Sequence, residues 1–133
     1  MKIIIVGAYA IGTHLAKLLS RNDHDTVLID SDAERLSNVS SDYDLMTIQA
    51  LPSRIKTLKE AGVSTADLFI AVTPDENLNM NACMLAKALG AHRTVAKVDN
   101  SEYLDPKMKS FFDNAGITSL IYPENLAAID IAN

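Results

Sequence analysis

Gly7, Tyr9 and Gly12 stand in the spacing Gly-x-Tyr-x-x-Gly, one substitution away from the Gly-x-Gly-x-x-Gly turn that seats a pyrophosphate. Each position of that turn has its own task. The first glycine makes the tight bend, the second lets phosphates approach bare backbone, and the third lets a helix pack closely on a strand. Tyr9 sets a Cβ and a ring at the second position, which restricts the approach. Asp30 follows about twenty residues beyond the turn, where an acidic side chain accepts hydrogen bonds from both hydroxyls of a ribose. The same carboxylate repels a 2′-phosphate, which favours NAD or an adenosine nucleotide over NADP. Arg35, close by, tempers that preference.

Such chemistry needs a strand, a turn and a helix in immediate succession. Lys2 to Val6 is a nearly unbroken β-branched run, suited to a central parallel strand covered on both faces. Ile11, Leu15, Leu18 and Leu19 recur at helical spacing, so a helix begins near Ile11 and packs that face on the sheet. Its N-terminus points unpaired N–H groups and the positive end of its dipole into the glycine turn. A second strand, Thr26 to Ile29, ends at Asp30. Ser31-Asp-Ala-Glu34 fits a capping box, which starts a helix running through Arg35 and Leu36 towards Ser40.

The unit then repeats. Leu45 to Ile48 forms a third strand, and Gln49-Ala-Leu-Pro52 a loop whose Pro52 opens a helix ending near Ala61, with Gly62 as left-handed cap. Asp67 to Val72 is the fourth strand, and a long helix over Leu78 to Leu89 is closed by Gly90. Thr94 to Val98 is the fifth strand. Ser101 to Asn114 reads as a helix with Pro106 in its early part and Gly116 after its end, Ser119 to Ile121 as a short sixth strand, and Pro123 to Ala132 as a further helix. This alternation predicts an α/β fold, a doubly wound, Rossmann-like parallel sheet of six strands. Ligands of such sheets sit at the carboxyl ends of the strands. The loops to inspect therefore begin at Gly7, Asp30, Gln49, Thr73 and Asp99.

The chain has 133 residues, of which 48% are hydrophobic, enough for one core and one domain spanning 1–133. A formal net charge of −5, without a cluster of Lys and Arg, argues against a nucleic-acid or anionic-membrane surface. No apolar run approaches a membrane span, and the N-terminal run is too short for a signal peptide, so a cytosolic location is expected. Cys83, the single cysteine, rules out an intrachain disulfide and lies in an apolar helical pattern that marks it as core. His14, His24 and His92 lack metal-ligand spacing, and no metal site is expected.

Other polar residues carry two readings each. Thr73, Asp75 and Asn77 rim the end of the fourth strand, either lining a ligand or capping the following helix. Lys97, inside the fifth strand, reaches either a phosphate or the solvent at the sheet edge. Tyr103 and Lys107 match the Tyr-x-x-x-Lys spacing of short-chain dehydrogenases, but Pro106 interrupts the turn between them and no serine partner is placed for the pair.

Taken together, these residues resemble the TrkA N-terminal (RCK/KTN) domain family, over essentially the whole chain. The resemblance is carried by Met1-Lys-Ile-Ile-Ile-Val-Gly-Ala8, Asp30 with Glu34-Arg-Leu36, Leu58-Lys-Glu-Ala-Gly62, Ala66-Asp-Leu-Phe-Ile-Ala-Val-Thr-Pro-Asp-Glu-Asn77 with Asn79 and Cys83, and Tyr122-Pro-Glu124. It implies a module that binds NAD(H) or ATP/ADP and passes its ligand state to a membrane potassium transporter of the Trk type, without chemistry on the ligand. It also implies a homo-oligomer, a dimer or tetramer, held in the cytoplasm at the inner face of the membrane through the transporter. By position, Gly7, Ala8, Tyr9, Ala10, Ile11 and Gly12 would line the phosphates, Asp30 and Ser31 the ribose with Arg35 beside them, and Thr73 and Asp75 the next stretch. Lys97 stands where the family often has a basic residue.

This chain departs from the family at Tyr9, usually glycine, and at Ala50 and Leu51, usually a Gly-Asp or similar small polar pair. Both departures fall on ligand-facing loops. Family members are also much longer, which implies that these residues are a fragment. Two other functions compete with the regulatory one: an NAD-dependent oxidoreductase domain, and a degenerate scaffold whose crevice is filled by Tyr9 and Leu51 and which acts only in assembly.

Overall fold

The computed structural model describes residues 1–39 and 44–123. Its six strands are β1 (Lys2–Val6), β2 (Asp25–Asp30), β3 (Leu45–Gln49), β4 (Leu68–Ala71), β5 (Arg93–Lys97) and β6 (Ser119–Ile121). All neighbouring pairs are parallel, in the order β3-β2-β1-β4-β5-β6. That is the doubly wound order, and its direction reverses between β1 and β4. The helices are α1 (Ala10–Ser20), α2 (Ala33–Ser37), α3 (Ile55–Glu60), α4 (Glu76–Ala88) and α5 (Lys109–Ala115).

Alternate residues of the central strands serve two cores. Ile4, Val6, Val27, Ile29, Phe69 and Ala71 face Leu58 of α3 and Ala82, Cys83 and Ala86 of α4. Ile3, Ile5, Leu28 and Ile70 face the layer holding Ala16 of α1 and Leu36 of α2. Ile3, Ile4, Ile5 and Val6 are all completely buried, as a β-branched run covered on both sides requires.

Several local expectations shift. The residues of α1 buried against the sheet are Gly12, Ala16 and Ser20, with Ile11, Leu15 and Leu19 flanking them, while Leu18 is exposed. A ridge of small residues lets the helix lie close to β1, and the larger side chains wedge in beside it. α2 is capped by Asp32, not Ser31: the Asp32 carboxylate accepts from Glu34 N–H at 2.8 Å. This moves the start one residue on, because Ser31 is still leaving the strand. The helix ends at Ser37, and the expected stretch to Ser40 leaves the described residues.

Pro52 lies in a turn before α3, whose N-cap is Arg54, so it does not open that helix. Gly62 does take the left-handed conformation after it. The continuous helix expected from Ser101 is broken into two short 3-10 turns, Ser101–Leu104 and Pro106–Met108, before α5. Asp105 is extended (ψ 124°) and caps the second turn, which is what the steric demand of a following proline imposes. The helix expected over Pro123 to Ala132 lies almost entirely outside the described residues.

Candidate functional site

Where the winding reverses, the carboxyl ends of β1, β2 and β4 open on a crevice of about 240 Å3. The glycine turn forms one wall. Gly7 has φ +106°, a left-handed conformation that disfavours any side chain, and a Cβ there would lie 3.1 Å from Thr73 N. Gly12 is fixed by contact: a Cβ on it would stand 1.7 Å from the carbonyl oxygen of Gly7. The first and third glycines therefore perform the roles the motif assigns them. Tyr9 differs. Its backbone is extended (φ −88°, ψ −172°), a conformation any residue adopts, so the second position accepts a side chain without strain. Tyr9 is the N-cap residue of α1, and no side chain caps that helix.

Asp30, at the end of β2, is only 3% exposed. Its Oδ2 accepts from Ala8 N–H at 2.8 Å and its Oδ1 from Asp32 N–H at 2.8 Å. Arg35 completes the set, with Nε 3.1 and 3.2 Å from the two oxygens and Nη2 3.0 Å from Oδ1. Burial pushes the Asp30 carboxyl up, but the Arg35 hydrogen bonds, the N–H groups of Ala8 and Asp32 and the guanidinium charge together outweigh it and hold the group below its ordinary value. The hydrogen bond to Asp30 in turn raises the pKa of Arg35. Arg35 Nη1 also pairs with Asp32 Oδ2 at 3.1 Å, and the guanidinium carbon lies 4.3 Å from the centroid of the Tyr9 ring, a cation–π contact. A short helix turn, a strand end and the glycine turn are thus joined through one side chain.

The crevice brings together Gly7, Tyr9, Asp30, Ser31, Arg35, Leu51, Thr73 and Asp75 of the residues expected from sequence. Ala8 is buried behind Asp30, and Ala10, Ile11 and Gly12 form the first turn of α1. Ala50 contributes backbone, its N–H donating to the Asp30 carbonyl at 3.1 Å. Lys97 does not line the crevice. Its ammonium pairs with Asp99 at 3.2 Å beyond the end of β5. The walls that sequence reasoning missed are Ile29, Pro52, Ser53, Pro74 and Leu78.

The largest omission is Asn79, wholly buried on α4. Its Oδ1 accepts from Thr73 N–H at 2.9 Å and Thr73 Oγ1–H at 2.6 Å. Its Nδ2 donates to the carbonyls of Thr73 and Lys97, both at 2.9 Å. One amide thereby ties the ends of β4 and β5 to the helix between them. Asp75 caps that helix, accepting from Asn77 and Leu78 N–H at 2.9 and 3.3 Å, so its capping role is real. Glu76 Oε1 accepts from Asp99 and Asn100 N–H and holds the loop after β5.

Outside this region the chemistry is quiet. Tyr103 packs edge-on against Phe112 at 5.6 Å, while Lys107 is exposed on the next 3-10 turn. Burial pushes the Cys83 thiol up to about 12. Among the described residues no His, Cys, Asp and Glu group could hold a metal, and no helix is long and apolar enough to cross a membrane.

The TrkA-N domain family model matches residues 3–123. This chain belongs to the TrkA-N family. The Trk system potassium uptake protein TrkA of Haemophilus influenzae is 42% identical over 133 residues, covering 98% of this chain and 29% of that protein. This TrkA-N chain therefore spans less than a third of the length of that relative. The TrkA-N domain of the inner membrane protein ybaL from Escherichia coli superposes with a TM-score of 0.79 at 15% identity, over 96% of this chain and 90% of that one. The GsuK channel, in structures bound to NAD and bound to ADP, superposes with a TM-score of 0.71 at 18% identity. The NAD-bound match covers 90% of this chain and 21% of the channel chain, the ADP-bound match 91% and 31%. At such identities the two structural matches speak for the fold.

Proposed function

We propose that this TrkA-N module binds an adenine nucleotide, NAD(H) or ATP/ADP, in the crevice at the β1–β4 reversal. The module reports its occupancy, as a homo-oligomer in the cytoplasm, to a membrane potassium transporter of the Trk type. The observation that carries this reading is the buried Asp30 carboxylate, held charged at the strand end beside an uncapped helix N-terminus and a Gly7–Gly12 turn of the required geometry. A ribose suits the carboxylate, and phosphates suit the first turn of α1. Relatives named for potassium uptake and a channel structure with NAD or ADP support the ligand class and the partner. Within the crevice, Gly7, Tyr9, Asp30, Ser31, Arg35, Leu51, Thr73 and Asp75 would face the ligand, with Ala8, Ala10, Ile11, Gly12 and Ala50 supplying backbone. Lys97 is left to the ion pair with Asp99. Regulation fits better than catalysis, since every acceptor position of the carboxylate best placed for acid–base work is taken by a hydrogen bond or by the ion pair with Arg35.

A ligand bound by the folded state alone raises stability by about 2.7 kcal/mol at a hundredfold excess over its dissociation constant. Thermal shifts with NADH, NAD, ATP and ADP test this, and a flat response to all four rejects ligand sensing. The scaffold reading draws on Tyr9 and Leu51, which do line the crevice. Affinity that emerges only in Tyr9→Gly favours the scaffold; affinity in the parent chain favours the sensor.

A further inference from the structure

We infer that Arg35 competes with the sugar of the bound nucleotide for Asp30, and so sets how tightly a ribose-bearing ligand is held. This inference rests on the nucleotide reading of the crevice. A carboxylate offers about four acceptor positions, and those of Asp30 are met by Ala8 N–H, Asp32 N–H, and Nε–H and Nη2–H of Arg35. The two backbone donors are fixed by the glycine turn and by the start of α2. They cannot yield without undoing the end of β2. Arg35 alone can yield. Its side chain is 31% exposed, and Asp32 Oδ2, already 3.1 Å from Nη1, offers a partner further from the crevice.

A second observation points the same way. The guanidinium lies over the Tyr9 ring and, with it, narrows the cleft between the end of β2 and the glycine turn. The resulting 240 Å3 falls below the roughly 300–1,000 Å3 of ordinary small-molecule sites. Turning Arg35 outward frees two acceptor positions for the 2′- and 3′-hydroxyls and widens the cleft in one movement. Tyr9 thus acts on the ligand indirectly, by holding the guanidinium over the site. Asp30 keeps two charge-assisted backbone hydrogen bonds after the exchange and gains those of the sugar.

Calorimetric titration of the 133-residue chain with ADP and with 2′,3′-dideoxy-ADP, which lacks both hydroxyls, tests the competition. Arg35→Gln is expected to bind ADP about tenfold tighter than the parent and to gain clearly less for dideoxy-ADP, which profits from the wider cleft alone. In nitrogen-15 NMR of the parent, the Arg35 Nε–H is expected to lose protection from solvent exchange as ADP saturates the site. Equal or weaker ADP binding by Arg35→Gln, an equal gain for both ligands, or an Nε–H that stays protected overturns the inference. Should Arg35→Gln not fold, Tyr9→Leu removes the ring and leaves the ion pair; it is expected to give a smaller gain for ADP alone. ADP bound equally by parent and variants removes the competition but leaves the nucleotide site standing. ADP bound by none of them removes both.

Discussion

Two helices begin at the same edge of the sheet, on either side of the point where its winding reverses, and they begin differently. α4 is closed by its own sequence: Asp75 takes two of its first N–H groups, and Asn79, one turn in, fastens the helix to the ends of β4 and β5. α1 starts at Tyr9 with no side-chain cap and rests on Gly12 against the backbone of Gly7. One start is committed to the fold and the other is turned towards the crevice. Residues that look alike as polar loop positions thus divide into those that close a helix and those left facing the crevice.

The sharpest way to break this contrast is Gly12→Ala. Its Cβ would collide with the Gly7 carbonyl, so the change should cost at least the ~3 kcal/mol upper end of ordinary overpacking, read as a fall in the urea midpoint. Asn79→Ala comes next. It strands the Thr73 N–H and the Lys97 carbonyl in the interior, at about 1–3 kcal/mol for each unsatisfied group, and should unfold the β4–β5 edge first in amide hydrogen exchange.

Asp30→Asn tests the crevice side through pH. The folded pKa of Asp30 lies below its ordinary 3.8, so its contribution is complete above that value and is lost as pH falls through the folded one. The stability gap between parent and variant should be about 1.5–3 kcal/mol at neutral pH, the worth of a hydrogen bond to a charged group. In denaturant melts it should close as pH drops below about 4. Asp75→Ala gives the smallest effect on stability, about 1 kcal/mol for a lost cap, read as a fall in the urea midpoint. A tenfold loss of ADP affinity beside it, by calorimetry, would mean that Asp75 serves the ligand as well as the helix.

Strand–helix alternation made the parallel sheet of six strands and the Gly7, Gly12 and Asp30 positions legible from sequence, because each is set by local pattern or by a motif whose spacing follows from the fold. What escaped was set by pairs far apart in the chain. Nothing local says that Asn79 will meet the Lys97 carbonyl, eighteen positions away. Arg35 was visible as a charge beside Asp30, but its seat on Tyr9 depends on two loops meeting. The break in the helix after Ser101 follows from Pro106, whose steric demand on Asp105 overrides the helical spacing around it.

The amide of Asn79 has a mechanical corollary. Because it grips both strand mouths with one rigid group, a pull on Thr73 is handed on to Lys97, and with it to the loop that Glu76 tethers, without any helix having to slide. The mouths of β4 and β5 are thereby coupled through a single side chain.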